Sequence, residues 1–267
     1  MSRIASIFAA HRPALIPFIT GGYPSLEVTR RVVPALQNAG AAIIEIGFPF
    51  TDPIADGPVI ADSMHQALLK GVTPQAIFEA VKQVRPQVSA GLMAMVSDSI
   101  VTRYGGKGDG PESFVRDAAG AGFDGLIVPD VDLDAAVPLA GLARLHGLSF
   151  TLLIAPTTVE SRIERIVSLC SGFVYVLARV GITGERNELD ETALRQRIDM
   201  IRRHTHLPLA VGFGISRAEQ VRRVGQIADG AIVGSALVRR MAAAGEAGAV
   251  EAAAAFVKEL AGGAQRP

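Results

Sequence analysis

Residues 41–58 set two of their three acids in unlike settings. A short apolar run, Ala-Ala-Ile-Ile-Glu-Ile-Gly, carries Glu45, and a loop stiffened by Pro49, Pro53 and Pro58 presents Asp56. One carboxylate on a buried strand and one on the loop that the strand feeds can hold different proton affinities, which is what acid/base chemistry by paired carboxylates needs. Alternation along the run puts Ile43, Glu45 and Gly47 on one face and Ile44 and Ile46 on the other. If both faces are dry, an acid there is costly unless it is paired or protonated. Glu45 is then either half of a structural ion pair or a working acid/base with a raised pKa. Asp56 by itself also suits an ordinary turn, as does Asp52 before Pro53. Asp130 follows another apolar run and is placed either to act as an acid or to cap the next helix.

The elements that must hold these groups alternate regularly. Eight apolar runs, at residues 15–20, 42–47, 89–96, 125–129, 149–154, 173–177, 208–212 and 230–233, are too continuously apolar for a sheet with one wet face. Parallel strands buried on both sides read this way. Helical patterns lie between them. Thr73-Pro74 places a cap before a first-turn proline, and Val28, Val32, Val33 and Leu36 repeat on one face. Thr157 with Glu160, and Ser216 with Glu219, have capping-box spacing, and Asp190 is placed to cap a helix running toward Arg203. Eight β/α units predict an α/β fold, a closed (β/α)8 TIM barrel occupying residues 1–267 as one domain. The competing open, doubly wound sheet lacks its G-x-G-x-x-G after the first strand. Ile4, Ile7 and Phe8 predict an extra N-terminal helix, and residues 245–264 an extended C-terminal helix.

In such a barrel the active site lies at the C-terminal ends of the strands. Glu45, Asp56, Tyr175 and the stretches 181–188, 212–216 and 234–235 all follow strand runs. The seventh run leads into Gly212-Phe213-Gly214-Ile215-Ser216 and the eighth into Gly234-Ser235-Ala236, each before a helix, with Gly184 as a third glycine turn. Glycine lets backbone N–H groups approach a ligand, and a helix N-terminus favours an anion. These turns either bind phosphate, at the two loops where such barrels do so, or simply turn the chain.

Composition narrows the chemistry. The chain has 267 residues, nearly half of them apolar, and 26 basic residues balance 26 acidic ones, so no nucleic-acid surface is expected. No apolar run approaches the roughly 18 residues that would span a bilayer, and no signal peptide is read. The single cysteine, Cys170, is read as a small core residue near a helix end, and its solitude suits a reducing, cytoplasmic setting. The four lysines, Lys70, Lys82, Lys107 and Lys258, end no strand, which argues against a Schiff-base aldolase. The histidines form no metal-ligand cluster, so neither a metal nor a cofactor is expected. Carboxylate-driven proton transfer on a small phosphorylated substrate with an apolar body remains. Phe18, Ile60, Tyr175 and Phe213 are placed either to line that body or to pack the core.

At these residues the chain resembles the tryptophan synthase alpha subunit. The matching segments are Pro17-Phe18-Ile19-Thr20-Gly21-Gly22-Tyr23-Pro24, residues 43–58, Gly125-Leu126-Ile127-Val128-Pro129-Asp130, Gly181-Ile182-Thr183-Gly184 and Gly212-Phe213-Gly214-Ile215-Ser216, in order along nearly the whole chain. The resemblance implies retro-aldol cleavage of indole-3-glycerol phosphate to indole and D-glyceraldehyde 3-phosphate in tryptophan biosynthesis. It implies Glu45 as the acid/base at indole C3 and Asp56 as the holder of the indole N–H. It implies Phe18, Ile60, Ile127, Tyr175 and Phe213 as pocket walls and Thr183 as a closing-loop residue. Gly184, Gly214, Gly234 and Ser235 match phosphate binders. It also implies a pyridoxal-phosphate-dependent beta subunit as partner, in an alpha2beta2 heterotetramer.

The chain departs from the family pattern after the third strand run, at Ala94-Met95-Val96-Ser97-Asp98-Ser99 and Tyr104, where many relatives carry an aromatic residue and an asparagine. It departs again at Val131-Asp132-Leu133-Asp134, where only a helix start is expected to change. Other readings are a different phosphate-binding barrel enzyme, a subunit that mainly activates its partner, and a stand-alone lyase releasing indole.

Overall fold

The computed structural model describes residues 2–51, 57–106, 110–178, 190–212 and 214–264. Asp52, Asp56, Thr183, Gly184 and Phe213 lie outside the described residues. The strands are β1 (Ala14–Thr20), β2 (Ile43–Gly47), β3 (Gly91–Met95), β4 (Gly125–Ile127), β5 (Ser149–Thr151), β6 (Leu153–Ile154), β7 (Val174–Leu177), β8 (Leu209–Gly212) and β9 (Gly230–Val233). Every ladder is parallel, and the order is β5-β4-β3-β2-β1-β9-β8-β7-β6. Only Leu152 separates β5 from β6, so the two ends of that order are one extended segment and the sheet closes on itself. The expected eight-stranded barrel is present, with its fifth strand interrupted.

The interruption has a local cause. Leu152 N–H donates to Cys170 Sγ at 3.3 Å instead of joining a ladder, while Tyr175 N–H still donates to Leu152 O at 3.2 Å. Burial pushes the Cys170 thiol up to about 12, which keeps the sulfur protonated and uncharged.

The surrounding helices are α1 (Arg3–Ala10), α2 (Leu26–Asn38), α3 (Pro58–Leu69), α4 (Pro74–Val84), α5 (Asp98–Arg103), α6 (Gly110–Ala121), α7 (Leu133–Leu145), α8 (Glu160–Leu169), α9 (Glu191–Arg202), α10 (Ala218–Gly225) and α11 (Ser235–Ala264). The long C-terminal helix α11 is broken at Gly245, whose φ of 66° lies in the left-handed region. Val28, Val32, Val33 and Leu36 form the buried face of α2, Thr73 caps α4, and Asp190 caps α9 by accepting from Ala193 N–H at 2.9 Å.

Several expected boundaries shift. The third strand starts at Gly91 rather than Ser89, because the N–H groups of Ser89 and Ala90 donate to Gln37 Oε1 at 2.6 and 2.8 Å. The fourth stops at Ile127, two residues before Pro129, which has no N–H to offer. Neither expected capping box forms. Helix α8 begins only at Glu160, and Thr158 rather than Thr157 turns the loop by accepting from Ala155 N–H at 3.0 Å. At α10 it is Gln220 Oε1 that takes the N–H groups of Ser216 (2.8 Å) and Arg217 (3.1 Å).

Two apolar layers result. Outer strand faces pack against the helices, while Ile16, Ile43, Met93, Ile127, Phe173, Tyr175, Ala210 and Ile232 fill the interior. Helix α1 closes the floor of that interior. Ile4 and Phe8 are fully buried, and Phe8 packs on Phe173 with ring centroids 5.5 Å apart. Glycines make the room: a Cβ on Gly91 would meet Ile4 Cδ1 at 2.7 Å, and one on Gly230 would meet Phe8 Cε1 at 3.0 Å. Two aspartates, Asp229 buried and Asp124 partly so, tie the floor together. Asp124 accepts from Leu92 N–H (2.9 Å) and Arg85 (3.1 Å) with Arg3 at 3.8 Å, and Asp229 accepts from Leu209 N–H (2.9 Å) and Arg202.

Phe8→Ala should therefore lower stability by about 3–5 kcal/mol, the usual cost of emptying a buried phenylalanine site. Urea unfolding followed by circular dichroism checks this; a midpoint equal to that of the wild type would show that α1 does not seal the barrel.

Candidate active site

Strand β2 aims Glu45 inward. Its neighbours in register are Phe18 on β1 and Met93 on β3. Ile43, two residues before, belongs to the barrel interior, whereas Ile44 and Ile46 belong to the outer layer. Glu45 is 0% exposed, and neither carboxylate oxygen has a hydrogen-bond partner among the described residues. No ion pair holds it, so among the described residues the structural alternative to an acid/base role is absent. Burial alone pushes its pKa well above the usual glutamate range. A carboxyl so placed is held protonated by the cost of desolvating its charged form.

The strand's continuation is anchored from behind. Phe48, directly after β2, is fully buried against Phe78, Phe114 and Phe123, with centroids 5.3, 5.5 and 6.0 Å away. Its N–H donates to Met95 O at 2.8 Å. This cluster fixes the root of the segment that runs on to Asp56. Helix α3 restarts beyond it with Gly57 at the N-cap and Pro58 in the first turn. Thr20, at the end of β1, meets Ser63 Oγ at 2.6 Å, and Ser63 donates to Ile60 O at 2.7 Å. That chain of hydroxyls sets α3 over the mouth, with Ile60 buried near Gly234.

On the far side, Tyr175 from β7 is buried in the interior cluster, and a Cβ on Gly212 would sit 2.9 Å from its hydroxyl oxygen. Ile127, at the end of β4, faces the same interior. The two glycine turns close this side. Gly214 has a φ of 87°, which side chains rarely tolerate. Gly234 O accepts from the N–H groups of Leu237 (2.9 Å) and Val238 (3.2 Å) as α11 starts. Ser235 heads that helix, largely buried, and the free N–H groups of a first helical turn favour an anion.

The third connection is built differently from an aromatic wall. Met95 is half-buried at the strand end, Ser97 caps α5, and the Tyr104 ring turns outward onto Phe78 and Phe114. Tyr104 Oη donates to Asp117 at 2.8 Å, and burial with that carboxylate pushes the phenol up to about 12. Asp130 caps neither the following helix, which Asp132 does, nor any group of the interior. It accepts from Ser97 Oγ (2.7 Å) and Asp98 N–H (2.9 Å), joining the loops after β3 and β4. No sequence signal marks that partnership, because it joins residues more than thirty positions apart. Among the described residues no group of three His, Cys, Asp or Glu side chains could hold a metal ion, and no helix is long and apolar enough to cross a membrane.

Residues 4–265 match the family described as tryptophan synthase alpha chain. The alpha chain of Chloroflexus aggregans is 41% identical over 271 residues, covering 100% of this chain and 99% of that one. That of Halorhodospira halophila is 44% identical, covering 93% and 90%. Among solved structures, tryptophan synthase of Mycobacterium tuberculosis superposes with a TM-score of 0.89 at 32% identity, covering 100% of this chain and 99% of that one. A mutant alpha-subunit from Pyrococcus furiosus gives 0.84 at 32% identity, covering 94% and 99%. With a closed parallel barrel and inside it an acid unpaired among the described residues, the chain belongs to the tryptophan synthase alpha chain family, lyases that cleave indole-3-glycerol phosphate to indole and glyceraldehyde 3-phosphate.

Proposed function

We propose that Glu45 is the acid/base of this cleavage. The observation that carries the reading is a fully buried carboxyl with both oxygens unpartnered among the described residues, on the interior face of β2. The substrate's carbon–carbon bond breaks only if the indole ring can leave. Protonated Glu45 gives its proton to ring carbon C3. The resulting carboxylate takes the proton of the neighbouring side-chain hydroxyl. The bond electrons return to the ring, restoring its aromaticity, and the hydroxyl carbon becomes the aldehyde of glyceraldehyde 3-phosphate. No electrons are gained or lost overall, so carboxylates suffice.

Asp56 holds the indole N–H and offsets the positive charge that C3 protonation places on the ring. Phe18, Ile60, Ile127, Tyr175 and Phe213 enclose the ring, and Thr183 closes over it. Gly184, Gly214, Gly234 and Ser235 hold the phosphate, for which the glycine turn at φ 87° and the start of α11 are suited. The whole chain acts as one barrel domain in the cytoplasm, as the alpha half of an alpha2beta2 assembly with a pyridoxal-phosphate-dependent beta subunit.

Glu45→Gln should lower cleavage by about 10²–10⁴-fold, the usual contribution of a proton-transfer group. The same variant should be more stable than wild type at neutral pH. With a raised folded-state pKa, the native protein binds the proton that the unfolded chain releases, so stability falls as pH rises through the ordinary glutamate range and beyond. Glutamine removes that loss, and the gap between the two proteins should widen with pH over that window. Near-normal turnover of Glu45→Gln would end the assignment. Asp56→Ala should lose turnover yet keep inorganic phosphate binding; loss of thermal stability alone would make Asp56 a turn residue. Mixing the chain with a cognate beta chain should give a larger species on size exclusion and faster cleavage. Absence of both would favour a stand-alone lyase.

A further inference from the structure

Phe18 sits between two gaps, one at the end of β2 and one just past the end of β9. Strand β1 lies between β2 and β9. A Cβ on Gly47, at the end of β2, would fall 2.5 Å from Phe18 Cζ and 2.6 Å from Cε2, closer than two carbons can approach. On the other side, a Cβ on Gly234 would lie 3.8 Å from Phe18 Cβ, 3.9 Å from Cδ1 and 4.0 Å from Ile60 Cδ1, which is ordinary contact. The Phe18 ring thus leans across β2 and fills the volume that a side chain at position 47 would take. Position 47 is the next inward-facing position after Glu45, one step nearer the mouth.

We propose that Gly47 is a positioning residue for the cleavage: by offering no side chain to the interior, it lets the Phe18 ring lie across the mouth side of Glu45 and shut water away from that carboxyl. This rests on Glu45 being the acid. Among the described residues no side chain hydrogen-bonds Glu45 within that enclosure. Phe18 and Met93 flank Glu45 in register, and Tyr175 is the titratable side chain of the interior cluster. Among the described residues no charged group from β1, β2 or β3 faces Glu45, and burial is the sole cause of its raised pKa. Displacing the ring would admit water and bring that pKa down. The displacement itself is mild, because the atoms in the way are the far end of a rotatable side chain rather than backbone.

The test is a double-mutant cycle on the purified chain. Gly47→Ala should fold with a nearly unchanged Tm and lose roughly 10–100-fold in kcat/KM, the scale of a misplaced catalytic neighbourhood. The limb of its kcat/KM profile that falls with rising pH should move to lower pH, since a less buried Glu45 loses its proton sooner. In a Phe18→Leu background, which lacks the atom at Cζ, Gly47→Ala should cost little further, because the two residues act as a unit. An unmoved limb, or an equal cost in both backgrounds, would overturn the role of Gly47. Glu45→Gln separates the two ideas: if it is inactive while Gly47→Ala behaves as wild type, the acid stands and the positioning claim falls. If Glu45→Gln turns over normally, the acid itself is wrong.

Discussion

An acid without a counter-charge in a dry interior is the constraint around which the rest of this molecule is arranged. Glu45 has no partner among the described residues and no exposure, so the barrel carries a free-energy cost that good packing elsewhere must offset. That cost is also the source of reactivity. A proton held on a carboxyl only by desolvation is ready to leave for an aromatic carbon once a nearby negative group offsets the new charge. A salt bridge at the same position would have stabilised the fold and removed the acid.

The barrel meets this constraint from both ends. At the floor, α1 inserts Ile4 and Phe8 where Gly91 and Gly230 leave room, and Asp124 and Asp229 each satisfy a strand N–H while pairing with arginine. At the mouth, Phe18 and Ile60 bring apolar surface up to the turn at Gly234. Charge stays outside the wall of strands, at loop ends and between helices. Asp130 illustrates this, since it spends both oxygens joining two loops rather than entering the interior. Between floor and mouth the interior that surrounds Glu45 is apolar side chain from neighbouring strands.

Much of this was legible in the residues, for reasons that separate cleanly. The continuous apolar runs marked strands buried on both faces, and alternation put Glu45 on one face with Ile43 and Gly47; that this face is the inner one came from the closed barrel. Whether Glu45 was paired could not be read, because a partner need not be near in sequence. The hydroxyl chain from Thr20 through Ser63 to Ile60 was hidden for the same reason, its first link spanning 43 positions. The two capping boxes failed because spacing alone does not say which side-chain oxygen takes which N–H: Thr158 Oγ1 turns the loop by accepting from Ala155 N–H, and Gln220 Oε1 takes the N–H of Ser216. The break in the fifth strand depended on a thiol 18 residues away. Gly47 was visible on the same strand face as Glu45, but its meaning required the position of a ring on the adjacent strand.

The floor seal has a consequence for how the chain assembles. Helix α1 precedes every strand, yet the surfaces that receive it belong to β3, the segment before β7, and β9. Its apolar stripe therefore has no complete seat until the last strand has joined the ring. Contacts between such remote segments form late, because long loops must close first. Until then an eight-residue segment is too short to hold a helix by itself, and the final strand completes the socket in which it folds.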